Sequence, residues 1–330
     1  MHVLITGGAG FIGSHLVDYH LSLGDRVQAV DDLSTGKLEN IEPFQAHPSF
    51  QFKHCDLLVW DGLEEAAGWA DRIYHLAAVV GVYLVLKEPV KVMATNVAGT
   101  ERVLRALRSS GHRAQVLIAS SSEVYGPSND GALREDATLQ LPASGSGRWN
   151  YAISKLADEA FGLSYAREFD LHVTVARIFN VIGPRQSARY GMVTPRFVGQ
   201  ALREEPLTVF GDGRQSRCFC DVRDTVVAFD RLLSNPDSVA QIVNVGSDRE
   251  CTILELAELV QRKAGSRSPI QMISYEEAYG DREFYDFRRR VPALEKLRAL
   301  TDLEPRHTLE DTVDHLIAIR REKAKRVAAV

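Results

Sequence analysis

The chain has 330 residues, 45% of them hydrophobic, and a formal net charge of -5. That length supports a large core and two lobes, and the mild acidity argues against nucleic acid or an anionic membrane as a main partner. The apolar run at 2–6 is broken by Gly7 and Gly8 before it reaches the length of a signal core, and no stretch approaches a membrane span, so a cytoplasmic protein is expected.

In chain order, His2–Thr6 reads as a buried strand. Phe11–Leu23 reads as a helix, with Ile12, Leu16, Tyr19 and Leu23 at helical spacing. Arg26–Val30, Gln51–Cys55, Arg72–His75 and Gln115–Ala119 continue the strands, with long helices over Pro89–Ser109 and Tyr151–Phe169 and a further strand over Leu171–Ile178. This alternation predicts an α/β fold, a doubly wound parallel sheet with helices on both faces. From about Gly183 the segments shorten, loops gain Gly and Pro, and arginines accumulate. That change predicts residues 1–182 as a dinucleotide-binding domain and 183–330 as a smaller substrate lobe over the carboxyl ends of the strands. A return to the first domain is expected at about 221–245, as a helix Asp221–Leu233 and a strand Gln241–Val245. The basic tail Arg320–Arg326 reads as a solvated helix end. Cys55, Cys218, Cys220 and Cys251 show no CxxC spacing; Cys218 and Cys220 would share one side of a strand as a buried reduced pair, and no metal site is expected.

The first strand ends in Gly7-Gly8-Ala9-Gly10-Phe11-Ile12-Gly13 and opens a helix. Glycines here let the backbone turn tightly and approach a pyrophosphate, whose charge the helix amino end favours. Asp31, at the end of the second strand, is placed to accept from both ribose hydroxyls and to repel a 2′-phosphate, so NAD is expected over NADP. Asp56, after the third strand, either holds the adenine edge or caps a turn.

Tyr151 and Lys155 lie one helical turn apart on one face. An unperturbed phenol, with a pKa near ~10, is a poor base at neutral pH; a nearby ammonium favours its phenolate. Ser120-Ser121-Ser122-Glu123 follows a strand, which places hydroxyls and a carboxylate at its carboxyl end. Ser121 is positioned to hydrogen-bond a reacting hydroxyl, and Glu123 to move a second proton or steer a leaving group. Together these residues indicate alcohol oxidation with a nicotinamide cofactor. His75, at a strand end, reads as a packed histidine.

TGGAGFIGSH at 6–15, HLAA at 75–78, SSSEVYG at 120–126, YAISK at 151–155, RIFNVIGPR at 177–185 and RQSRCF at 214–219 resemble the extended short-chain dehydrogenase/reductases that act on nucleotide sugars. Within that family, Ser122-Glu123, Arg148-Trp149, Arg217-Cys218-Phe219 and YGDREFYDFRRRVP at 279–292 are most similar to the UDP-glucuronate decarboxylases. The resemblance implies a Rossmann-like fold that holds NAD tightly and a homodimer through helices 89–109 and 151–169. It adds Phe11, Ile12, Asp32, Leu57, Leu76, Ala77, Ala78 and Asn96 to the cofactor residues. It implies that Asn180 and Arg185 meet a UDP-linked nucleotide sugar, that Arg217 clamps its diphosphate, and that Arg290 meets its carboxylate or phosphate. Ser122 and Glu123 would then assist chemistry on the sugar C5 side. Arg288, Arg289 and Arg290 have Asp281 and Asp286 as candidate partners, and Trp149 either stacks near the ligand or packs beside the active helix. The run from Ala78 to Val85 is more apolar than the family's usual sugar-facing loop.

The shared first step is oxidation at the sugar C4 with later return of the hydride. Decarboxylation to UDP-xylose is the leading outcome. A 4-epimerase is the alternative, followed by a 4,6-dehydratase and by a non-catalytic NAD-sensing protein.

Overall fold

The computed structural model describes residues 1–81, 85, 87–127, 131–141, 149–188, 192–279 and 286–328, with side chains described as far as residue 325. Arg148, Asp281 and the apolar residues 82–84 lie outside these. The first half of the chain runs through β1 (His2–Thr6), α1 (Phe11–Ser22), β2 (Arg26–Asp31), β3 (Phe50–His54), α2 (Leu63–Trp69), β4 (Arg72–His75), α3 (Pro89–Ser110), β5 (Gln115–Ser121), α4 (Asn150–Phe169) and β6 (His172–Ile178). The second half adds β7 (Val181–Ile182), α5 (Val193–Leu202), β8 (Leu207–Phe210), β9 (Ser216–Cys218), β10 (Cys220–Asp221), α6 (Val222–Ser234) and β11 (Ile242–Val245). It ends with β12 (Glu250–Thr252), α7 (Ile253–Ala264), β13 (Ile270–Ile273), α8 (Tyr275–Tyr279), β14 (Arg289–Arg290), α9 (Glu295–Thr301) and α10 (Leu309–Ala328).

Seven strands form one sheet in the order β11-β6-β5-β4-β1-β2-β3, and every pairing is parallel. Strand alternation sends neighbouring side chains to opposite faces. Val3 and Ile5 pack under α1 and α6 with Leu16, Val226 and Phe229, whereas Leu4 packs on the other face with Leu104, Leu107 and Ile118. With both faces covered by helices, the inner strands β1 and β5 are apolar over most of their length, as a parallel sheet favours, whereas the edge strand β3 exposes Gln51, Lys53 and His54. Strand order reverses between β1 and β4, which opens a crevice at their carboxyl ends.

A third apolar cluster joins α5, α7 and α10 through Phe197, Val198, Leu256, Val260 and Val313, with Leu207 and Val209 of β8. It forms the core of the smaller α/β lobe, whose short strands pair separately as β12-β9-β14 and β13-β8. Asp221 caps α6, accepting from Arg223 N–H at 2.8 Å. The continuous strand expected through Cys218 and Cys220 does not form. Phe219 separates β9 from β10, and the two cysteines join different sheets. Both are free, and burial pushes both thiols up to about 12.

One buried ion pair fixes α4 to the sheet. Arg177 of β6 donates to Glu159 through Nε at 2.9 Å and Nη2 at 2.8 Å, and Ser120 of β5 donates to the same carboxylate at 2.5 Å. Removing one partner of a buried pair costs about 3–5 kcal/mol, because the other charge is left uncompensated. Glu159→Ala is therefore expected to destabilise the fold by that amount, read as a lower urea midpoint at unchanged slope; a midpoint within error of the parent's would remove the anchoring role.

Candidate active site

A cleft of about 570 Å³ runs along the carboxyl ends of the strands and into the smaller lobe. Its floor is the turn after β1. Gly7 has φ +73°, and a Cβ there would lie 2.9 Å from Ala77 N, so the backbones following β1 and β4 touch at the crevice. A Cβ on Gly13 would lie 2.1 Å from Gly7 O, which only a hydrogen at that position avoids. Gly10, Phe11 and Ile12 complete this floor, and Leu76, Ala77 and Ala78 form the opposite edge.

Asp31 lines the same cleft, buried at 9% exposure. It accepts from Ala9 N–H at 3.0 Å and Leu33 N–H at 2.8 Å, one on each oxygen. Burial raises its pKa above the usual carboxylate value, and the amides of Leu33, Ala9 and Gly10 pull it back. A carboxylate offers about four lone-pair sites, so acceptor capacity remains. The tight turn and this acceptor fit a dinucleotide's pyrophosphate and ribose. Asp32, Asp56 and Leu57 also line the cleft. Asp56 Oδ1 accepts from Leu58 N–H at 2.8 Å, so it caps a turn as well as facing the cleft.

Tyr151 and Lys155 enter from α4, and Ser121 from the end of β5. Strand β5 extends two residues beyond the expected Ala119, and Ser122 and Glu123 begin a 3-10 turn, Ser122–Tyr125. Ser121 hydrogen-bonds the Tyr151 phenol. Burial raises the phenol's pKa above its ordinary value; Lys155 and Ser121 lower it, while Glu123 and Asp158 raise it. Burial, the largest influence, thus keeps Tyr151 protonated against the pull of Lys155. Lys155 Nζ itself donates to Asp158 Oδ2 at 2.9 Å, and both groups are buried.

Arg290 pairs with Glu123 at 2.5 Å, approaches Ser122 Oγ at 3.4 Å, and stacks on Phe287 at 3.4 Å from its centroid. The late arginine thereby reaches across the molecule to the turn after β5. Its neighbours serve elsewhere: Arg288 pairs with Asp212 and Arg289 with Glu250, both exposed. Asp286 pairs with Arg217 at 2.5 Å rather than with any of these three. Arg217 and Asn180 both line the cleft, with Asn180 donating to Cys218 O at 3.4 Å. Trp149 is buried edge-on to Phe287 at 5.9 Å, beside the start of α4.

Two expected contacts take different positions. Asn96 lies behind the cleft; it exchanges bonds with Val79 N and O at 2.7 and 3.3 Å and donates to Ser154 Oγ at 3.0 Å, so it ties the loop after β4 to α4. Arg185, in the left-handed region at φ +66°, turns outward to Ser14 O and Asp18 at 2.8 and 2.9 Å. Sequence reading also missed several walls. Arg196 stacks on Phe210 at 3.8 Å, and Tyr275 O–H donates to Asp286 at 3.0 Å. These residues come from short segments of the smaller lobe with no shared periodicity, so no local pattern marks them. Among the described residues, no group of three or more His, Cys, Asp or Glu is placed to hold a metal ion, and no helix is long and apolar enough to cross a membrane.

Residues 3–246 match the family described as NAD dependent epimerase/dehydratase. The chain is 34% identical to a UDP-N-acetyl-alpha-D-glucosaminuronate decarboxylase of Bacillus cytotoxicus over 97% of both chains. It is 36% identical to UDP-glucuronic acid decarboxylase 1 of Danio rerio, over 96% of this chain and 71% of that relative. Among solved structures, UDP-glucuronic acid 4-epimerase from Bacillus cereus in complex with UDP-glucuronic acid and NAD superposes with a TM-score of 0.86 at 27% identity, covering 98% of this chain and 100% of the other. DesIV, a dTDP-glucose 4,6-dehydratase from Streptomyces venezuelae with NAD bound, gives 0.88 at 27% identity over 98% of both.

The turn itself yields a direct test. Gly13→Ala forces the backbone apart at Gly7, an overpacking change worth about 1–3 kcal/mol. A fall of several degrees in the melting temperature is expected; an unshifted scan would contradict the close approach.

Proposed function

The chain belongs to the NAD dependent epimerase/dehydratase family, among the extended short-chain dehydrogenase/reductases acting on nucleotide sugars, and from that premise we propose that it decarboxylates UDP-glucuronate to UDP-xylose. The observation that carries this reading is the meeting of Tyr151, Ser121 and the Glu123–Arg290 pair in the cleft that also holds the glycine turn and Asp31. We assign residues 1–182, with the return at about 221–245, to NAD binding and the remainder to the sugar nucleotide. Gly7, Gly10, Gly13 and the neighbouring cleft residues cradle the pyrophosphate, and Asp31 accepts from the adenosine ribose.

NAD, held by the glycine turn and Asp31, would supply a hydride acceptor for the sugar C4 and the source of its return. Tyr151 removes the C4 hydroxyl proton, with Ser121 sharing the hydrogen bond and Lys155 supplying positive charge once the phenol ionises. With a carboxylate at C6, the resulting β-keto acid loses carbon dioxide as its electrons flow into the C4 ketone. Glu123 and Ser122 stand on the C5 side, where a proton must be delivered after that loss. Arg290, linked to both, orients the carboxylate, and Arg217 and Asn180 hold the diphosphate. No net redox change results.

Epimerisation at C4 is the second reading, favoured by the likeness to the 4-epimerase and by the apolar Val79 and Val80 in the cleft wall. Rotation of a free ketone needs a wall that does not grip it. We also propose a cytoplasmic homodimer through helices 89–109 and 151–169. In support, α3 and α4 lie side by side on one face, with Tyr165 donating to Glu101 at 3.2 Å and Arg108 over Phe169, and the four cysteines form no disulfide.

Incubation with UDP-glucuronate, with products resolved by mass and NMR, is expected to show loss of one carbon dioxide; an isomer at constant mass would move the assignment to epimerase. Tyr151→Phe should abolish turnover while NAD stays bound, and undiminished activity would refute its role. Glu123→Gln should slow UDP-xylose formation more than formation of bound NADH, by about 10²–10⁴-fold if it acts in proton transfer; equal slowing of both steps would remove its special place.

A further inference from the structure

Behind the face that Tyr151 and Lys155 present to the cleft runs a buried polar chain that the proposed chemistry does not use. Asp158, three residues beyond Lys155 on α4, is closed to solvent at 0% exposure. Its Oδ2 accepts from Lys155 Nζ at 2.9 Å, and Thr100 of α3 lies beside the carboxylate and favours its charged form. Thr100 Oγ1 lies 3.0 Å from His75 Nε2, and His75 Nδ1 lies 2.8 Å from Thr6 Oγ1 at the end of β1. Side chains from β1, β4, α3 and α4 thus line up behind the ammonium, and Asp158 is the member bonded to it.

A buried carboxylate is expensive to desolvate, and an exposed i,i+3 pair on a helix is a weak stabiliser. An apolar residue would fill the same space between α3 and α4 at no electrostatic cost, so the charge itself calls for an explanation. The other groups facing Lys155 and Tyr151 do not supply an equivalent charge. Glu159 of α4 is held by Arg177 of β6, and Glu123 after β5 is held by Arg290 of β14. His75 of β4 is neutral, its pKa lowered to about 3 by burial and the Lys155 charge. Asp158 is therefore the acid whose field falls directly on the Lys155 ammonium.

We propose that Asp158 is a positioning residue for the Tyr151–Lys155 pair: its carboxylate, braced by Thr100 and His75, holds the ammonium 2.9 Å away and withholds positive charge from the phenol. The inference rests on the reading of Tyr151 as the proton acceptor. Asp158 thereby adds to burial in keeping the phenol protonated in the protein alone, until an acceptor in the cleft, such as a ribose hydroxyl, takes over the ammonium.

Removing a negative charge makes every neighbouring proton easier to lose. Asp158→Asn, and Asp158→Ser as a second variant should the first fold poorly, are expected to shift both limbs of the kcat–pH profile toward acid by about one pH unit. The phenolate absorbance of Tyr151, obtained by subtracting the titration of Tyr151→Phe, should shift in the same direction without substrate present. A carboxylate that merely filled space would lower kcat evenly and leave both limbs and the phenolate titration in place. That result in a folded variant overturns the proposal. If Tyr151→Phe retains full activity, the proton-transfer reading itself fails; if Tyr151→Phe is inactive and the limbs do not move, only the role of Asp158 fails.

Discussion

Glu159 is the carboxylate on which the geometry of the cleft depends. It sits two turns beyond Tyr151 on the same helix and binds Arg177 of β6 and Ser120 of β5, all out of contact with water. Long helices slide easily over an apolar sheet, since dispersion contacts carry little directional preference. A bidentate guanidinium pair has fixed geometry, so it sets the axial position of α4. Ser121 follows Ser120 on the strand, and the same register therefore decides how Ser121 meets the Tyr151 phenol. Catalytic distances in the cleft are inherited from a bond made outside it.

Electrostatically, the cleft is nearly balanced before any ligand enters. Lys155 faces Asp158, Arg290 faces Glu123, and Arg217 faces Asp286. An anionic sugar nucleotide must therefore compete for guanidinium groups that already have carboxylate partners. The stacking of Arg290 on Phe287, and of Arg196 on Phe210, keeps these side chains extended into the cleft while their charge is shared. Such preorganisation reduces the entropy lost when a ligand is clamped.

Much of this was legible in the sequence. The glycine turn and the strand–helix alternation are local patterns, and the central sheet follows them to within one or two residues at most ends. Tyr151, Lys155, Ser121 and Glu123 were visible because they lie in short motifs at strand and helix ends. The missed or displaced residues depend on distant pairing. Asn96 and Arg185 sit in the expected segments, but their side chains are spent on Val79, Ser154, Ser14 and Asp18. The partners of Arg288, Arg289 and Arg290 lie 76, 39 and 167 positions away in the chain, beyond any periodicity. Asp158 gave no signal at all, because a carboxylate within a helix ordinarily reads as solvated surface.

The position of β11 has a consequence for how the molecule is made. The strand that covers the β6 edge of the main sheet, residues 242–245, is separated from β6 by sixty-odd residues that build much of the other lobe. During synthesis, β6 emerges first and presents an unpaired row of amides and carbonyls until Val245 has left the ribosome. A nascent chain stalled before that point carries an adhesive border, the kind of surface that chaperones shield and that neighbouring chains extend. Completion of the sheet is thus a late event in the life of the chain.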